Sequence, residues 1–110
     1  MVNIYIAEEN ANALFNTEPD NPLLQKIKAS KRRKVKVSTG LTLINYQAVD
    51  DDEYEEFWEY ADSAIIGYGM DKNYDSLTSK GVILQTALDF LDAYRDEPED
   101  NIVEVIEEYE

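Results

Sequence analysis

The chain contains neither cysteine nor histidine. Without cysteine it has no disulfides, no thiolate metal sites and no thiol nucleophile, as is typical of proteins from reducing compartments. Without histidine it lacks the commonest proton-transfer group near neutral pH and the commonest ligand of transition metals. No apolar run is long enough to span a membrane, and no targeting pattern opens the chain. We therefore expect a cytoplasmic protein that uses no cofactor.

Basic residues are also scarce: ten Lys and Arg stand against 24 Asp and Glu, which gives a net charge of −14. Residues 1–36 carry seven basic and four acidic residues, a balance of +3, whereas residues 37–110 carry three basic and twenty acidic residues, a balance of −17. Such an acidic body repels nucleic acid and anionic membranes and attracts cationic surfaces. We therefore expect a protein partner with a basic surface, no direct nucleic-acid binding and no membrane binding.

Hydrophobic residues make up 44% of the 110 positions, enough for one core without metal or disulfides. The predicted fold class is α+β: a single domain over residues 1–110, in which an N-terminal strand and a β-hairpin form a short antiparallel sheet packed by two or three helices. The periodicity predicts a strand at 2–7, short helices at 8–16 and 23–30, a hairpin over 31–49, and long helices at 50–68 and 80–95.

Two segments leave alternatives open. At Leu43-Ile44 the apolar alternation of the second hairpin strand breaks, which predicts either a β-bulge or a strand buried on both faces. Residues 102–109 fit a helix or a closing strand, and the spacing of Ile102, Ile106 and Tyr109 slightly favours a helix.

The segment 50–68 holds eight carboxylates and five aromatic residues in nineteen positions. If it is helical, its apolar positions form one face, interpreted mainly as core, and its acidic positions form another. The apolar face comprises Tyr54, Phe57, Trp58, Ala61 and Ile65. Like charges one turn apart cost about 0.2–0.5 kcal/mol per pair, and no Lys or Arg is interleaved, which favours a binding role over solubility alone. The predicted partner-binding residues are Asp52, Glu55, Glu56, Glu59, Tyr60 and Asp62.

Other motifs are incomplete. Asp71, Asn73 and Asp75 begin like an EF-hand loop, but Ser76 replaces its glycine and Val82 its bidentate carboxylate, so we expect no metal site.

No nucleophile elbow or other catalytic motif is present, so we expect a protein that is not an enzyme. For the basic run 31–36 we expect pairing with the chain's own acidic helices, while anion binding or partner docking stays an alternative.

In charge and size the chain resembles the small acidic inhibitors that phages and mobile elements make against host nucleases and defence systems, and nuclease immunity proteins. This resemblance implies an inhibitor or regulator that occupies a partner's nucleic-acid-binding surface by placing carboxylates where phosphates would lie. Two alternatives remain. One is a structural or assembly protein that forms a homodimer through its aromatic face, and the other is a small ligand-binding domain or enzyme that uses carboxylates and tyrosines.

Overall fold

A four-stranded antiparallel sheet forms the centre of the fold. The computed structural model describes residues 2–73, 76–95 and 99–109. The strands are β1 (Val2–Ile6), β2 (Arg32–Val37), β3 (Thr42–Val49) and β4 (Ile102–Tyr109), in the order β1-β3-β2-β4. The helices are α1 (Glu8–Phe15), α2 (Pro22–Lys28), α3 (Asp51–Tyr68) and α4 (Ser79–Ala93), and a 3-10 turn at Glu99–Asn101 precedes β4. The predicted α+β class is confirmed: the four helices that the periodicity predicts all form, and β4 is one strand more than the predicted three.

The predicted hairpin is formed by β2 and β3. Gly40 in its turn has a φ of +91°, a conformation that glycine adopts without steric cost. Leu43 and Ile44 are both buried, and the register between β2 and β3 is regular through them. The break in alternation therefore reflects burial on both faces of β3 and not a bulge.

Residues 102–109 form a strand, so the slight preference for a helix is wrong. The segment is rich in β-branched residues, which suit a pleated surface. In addition, its pairing with β2 places an acid opposite each of three basic residues: Arg33 opposite Glu108, Lys34 opposite Glu107, and Lys36 opposite Glu104. Opposite charges across a strand pair stabilise a sheet. A helix at this position would leave those basic side chains without their acidic neighbours.

This pairing adds to the expectation that the basic run 31–36 pairs with the chain's own acidic helices. The register places glutamates of β4 opposite Arg33, Lys34 and Lys36. The described contact with a helix is an ion pair between Lys34 Nζ and Glu8 Oε2 at 3.7 Å.

Both faces of the sheet contribute buried residues, although no residue of β4 is buried. Side chains alternate along a strand, so Ile4 and Ile6 point to one face and Tyr5 to the other. The first face packs against all four helices, including Phe57 of α3 and Leu84 of α4. The second face is covered in part by the C-terminal end of α4, where Phe90 and Tyr94 pack against Tyr5. None of the helices among the described residues is long and apolar enough to cross a membrane.

Two glycines join the end of α3 to the beginning of α4. A Cβ added to Gly81 would lie 2.0 Å from the carbonyl oxygen of Gly69, so neither position has room for a side chain. Thr78, the N-cap of α4, accepts a bond from Gly81 N at 3.1 Å and donates one to Gly69 O at 3.2 Å. This close contact fixes the end of α3 against the beginning of α4.

Candidate partner-binding surface

Helix α3 begins where the sequence predicts. Asp50 is its N-cap, and the backbone N–H of Asp50 donates to Glu53 Oε1 at 3.3 Å. The first turn is acidic, with Asp51, Asp52 and Glu53, and carboxylates there interact favourably with the positive end of the helix dipole. Part of the negative charge on this helix therefore stabilises its first turn.

The apolar face of α3 is buried as expected, with one exception at its edge. Tyr54 and Phe57 are each 1% exposed, and the Tyr54 hydroxyl donates to the carbonyl oxygen of Leu91 in α4. Trp58 is only partly buried, and its Nε1–H donates to Asp92 Oδ1 at 2.6 Å. Trp58 therefore bridges the surface between α3 and α4 and is not a central core residue.

Four of the predicted binding residues form an exposed line on α3, which we call the acidic row: Asp52, Glu56, Glu59 and Asp62. None of them makes an ion pair with a basic residue in the described part of the chain. A helix rises about 1.5 Å per residue, so the row is about 15 Å long. The acidic row is a continuous line of negative charge that faces solvent.

Glu55 lies beside the row but is already paired. It forms an ion pair with Arg95, just beyond the end of α4, and the Arg95 guanidinium lies 5.0 Å from the centre of the Tyr54 ring. Glu55 therefore helps to tie α3 to α4, and a partner would have to compete with Arg95 for its carboxylate.

Tyr60 turns toward the protein. Its hydroxyl contacts Thr17 Oγ1 and donates to Glu18 Oε2 at 2.9 Å, and the Tyr68 hydroxyl donates to the same oxygen at 2.9 Å. Burial raises the pKa of Tyr60 to about 12, and its bond to Thr17 opposes that shift. The bond to Glu18 is the main cause that raises the pKa of Tyr68. Sequence reasoning missed Glu18, because its partners lie 42 and 50 residues away and leave no local pattern.

The hydrogen bonds that Glu18 accepts from Tyr60 and Tyr68 allow a prediction of how the stability contributed by Glu18 depends on pH. Hydrogen bonds from Tyr60, and then from Tyr68, hold the Glu18 pKa below its usual value near 4.5. A lowered pKa in the folded state means that this stability is present above the unfolded pKa and is lost as pH falls through the folded pKa. We expect Glu18→Gln to melt at a lower temperature than the wild type near neutral pH, and the difference to shrink below about pH 4. Thermal melts at both pH values check this.

Asp20→Asn is the matched control for Glu18→Gln, because Asp20 is exposed in the same turn and makes no described hydrogen bond or ion pair. It should melt close to the wild type at both pH values. A difference between Glu18→Gln and the wild type that persists unchanged in acid would mean that the tyrosine bonds do not depend on the Glu18 charge.

Several basic residues form their described contacts outside the acidic row. Lys26 Nζ lies 2.7 Å from Glu53 Oε2, a bond that raises the Lys26 pKa and lowers that of Glu53. Arg32 lies over the Tyr109 ring at 5.2 Å, and Lys80 over the Tyr68 ring at 5.6 Å. Arg32 and Lys80 therefore have neighbours outside the row, whereas Lys26 also interacts electrostatically with Glu56, a member of the row.

The partial calcium motif forms a turn. Asp71 Oδ1 accepts the backbone N–H of Asn73, and Asp71 Oδ2 accepts the Ser76 hydroxyl, each at 3.1 Å. Asp75 lies outside the described residues. Among the residues that the structure describes, no group of three or more acidic side chains is arranged to hold a metal ion.

A cavity of about 590 Å³ lies away from α3, between the end of α2 and the ends of β2 and β4. Its lining includes Lys31 and Arg32 but also Glu108, so it does not present charge of one sign. The acidic row, in contrast, presents charge of one sign. Comparison of the chain with protein-family models, curated proteins and solved structures finds no match.

Proposed function

We propose that this protein is a binding module that uses the acidic row of α3 to occupy the basic, nucleic-acid-binding surface of a partner protein. In doing so it would inhibit or regulate that partner, for example a nuclease or a defence effector. One observation supports the proposal most directly: Asp52, Glu56, Glu59 and Asp62 are exposed on one helix face with no basic residue paired to them in the described part of the chain. Unpaired carboxylates repel one another, and a cationic partner relieves that repulsion.

The spacing of the row suits a surface that binds nucleic acid. Carboxylates one helical turn apart have Cβ atoms about 5–6 Å from each other. Over the same 15 Å or so, duplex DNA carries about nine phosphates on its two strands, so the row imitates part of one strand. Because a helix bound to the fold is rigid, it can present these charges without the cost of ordering a flexible segment.

The row ends at an apolar side chain. Ile66 follows Asp62 by one helical turn and is 63% exposed. Binding surfaces combine an apolar centre with a polar rim, and an exposed isoleucine beside a line of carboxylates suits that arrangement. Glu55 and Tyr60 flank the row and are its proposed secondary contacts: Glu55 by exchanging Arg95 for a partner's cation, and Tyr60 through the part of its ring that is not buried.

Competition with nucleic acid tests the proposal. The protein would be immobilised and used to capture partners from lysate at low salt, and each captured protein would then be purified and titrated with labelled DNA or RNA. We expect the protein to displace the nucleic acid, and its affinity to fall steeply with salt, because both ligands need the same Lys and Arg side chains. If a partner binds the protein and nucleic acid at the same time, its nucleic-acid surface is not the target and the proposal is wrong.

A further inference from the structure

Strand β4 leaves one edge of the sheet open. It pairs with β2 on one side, and no other described strand pairs with its other side. Three of its apolar side chains, Val103, Val105 and Ile106, are 62%, 43% and 47% exposed. The opposite edge strand, β1, differs because three of its five residues are buried and α4 packs against it. An open edge offers backbone N–H and C=O groups to which another strand can bond.

The charges of β4 oppose pairing with a second copy. The strand carries Glu104, Glu107 and Glu108 and no basic residue. Two copies of β4 side by side would bring these glutamates together, and each molecule adds a net charge of −14.

Strand β2, which pairs with β4 in the sheet, shows what kind of sequence suits a strand beside β4. Strand β2 reads RRKVKV, and its register sets Lys34 opposite Glu107, Lys36 opposite Glu104 and Val35 opposite Val105. Opposite-charge pairs and β-branched pairs both stabilise neighbouring strands. Because β4 side chains stand perpendicular to the sheet, the same glutamates and apolar residues are also next to any strand added on the open side.

We propose that β4 accepts a short extended segment of a partner protein as a fifth strand, and that this segment alternates Lys or Arg with β-branched residues. Its cations pair with Glu104 and Glu107, which lie opposite Lys36 and Lys34 on one face of the sheet, and its apolar side chains contact Val105 on the other face. The register of β4 with β2 shifts at two places, so side-chain pairs contribute to recognition together with backbone bonds. This surface lies on a different element from the acidic row and does not depend on it.

A synthetic peptide tests the proposal. The probe is a labelled, end-capped peptide of about eight residues, the length of β4, in which lysine and valine alternate. Its control carries the same lysines with a proline in place of the central valine, which removes a backbone donor and disfavours a strand. We expect the first peptide to bind measurably by fluorescence anisotropy, the control to bind about tenfold more weakly, and the NMR shift changes to fall on β4.

Matched protein variants separate the two acidic surfaces. Glu104→Gln, Glu107→Gln and Glu108→Gln together remove three charges from β4, and Glu56→Gln, Glu59→Gln and Asp62→Asn together remove three from α3. We expect the β4 variant to bind the peptide about tenfold more weakly and the α3 variant to stay within about twofold of the wild type. If the β4 variant does not fold, the shift changes in the wild type still locate the peptide.

Any of the following results would overturn the proposal. The first is equal binding of the proline peptide, which would mean attraction between charges without strand addition. The second is equal loss in the α3 variant, or shift changes that fall away from β4. The third is a dimer of the protein alone, seen by analytical ultracentrifugation, with slowed amide exchange along β4, which would assign the edge to a second copy.

Discussion

Reversing the charge of Glu56, Glu59 and Asp62 to lysine should weaken binding to a captured basic partner by at least about a hundredfold. Each reversal removes an attraction worth about 1 kcal/mol at contact distance in water, so the three lost attractions alone give about 3 kcal/mol, and the new repulsions add to that loss. Asp52 is left in place because a cation in the first turn would oppose the helix dipole. Glu55 is left because it pairs with Arg95. The affinity for the partner would be measured by titration at fixed salt.

A second variant with the same net charge provides the control. Asp20, Asp89 and Asp100 are exposed and lie outside α3, and reversing all three also changes the net charge from −14 to −8. We expect it to lose at most about tenfold in affinity, because distant charges are screened within about 10 Å at moderate salt. If both variants lose the same affinity, the partner senses the overall charge of the protein and not the acidic row. Thermal melts of both variants establish that they are folded.

Phe57→Ala should lower the free energy of unfolding by about 3–5 kcal/mol, the usual cost of removing a buried aromatic ring and leaving a cavity. Phe57 is 1% exposed, stacks on Phe15 at 6.0 Å between ring centres and lies in the core that α3 shares with the sheet. A domain of this size is stable by about 5–15 kcal/mol, so the loss is a large fraction of the total. Urea unfolding followed by circular dichroism measures it, with an unchanged slope as the sign of a two-state comparison.

Trp58→Ala is the matched control on the same helix. It removes a larger ring, but one that is already partly in water, together with one hydrogen bond to Asp92. We therefore expect a smaller loss than for Phe57→Ala, on the order of 1–2 kcal/mol. If Trp58→Ala is the more destabilising of the two, the Trp58 ring is a core group, contrary to its position in the structure.

The division of charge over the molecule has a structural basis. Six of the ten basic residues fall on α2 and β2, where Lys26 meets Glu53 and three β2 side chains lie opposite glutamates of β4. Among the acids of α3 beyond its first turn, Glu55 forms the described ion pair, with Arg95. As a result, much of the positive charge lies beside acidic residues of the fold, and exposed carboxylates remain on α3 and along β4.

Local pattern was sufficient for several features. The apolar spacing of α3 and α4, the capping position of Asp50 and the glycine turn of the hairpin all follow from interactions within a few residues along the chain. The exposure of the acidic row follows for the same reason, because the helical period places Glu56, Glu59 and Asp62 opposite the buried face. Composition likewise determined that the molecule carries a large negative charge whatever its fold.

Only the tertiary structure decided which charged and polar side chains bond to one another within the molecule. Arg95 reaches Glu55 across 40 positions, and the Tyr60 hydroxyl reaches Glu18 across 42, so Glu55 is paired and Tyr60 turns inward. Residues 102–109 satisfy both a helical and a strand period, and their pairing with the basic strand β2 decides between the two. The local sequence determines the charge of a side chain and the face of the helix or strand on which it lies. The partner of that charge depends on which distant segment the fold brings beside it.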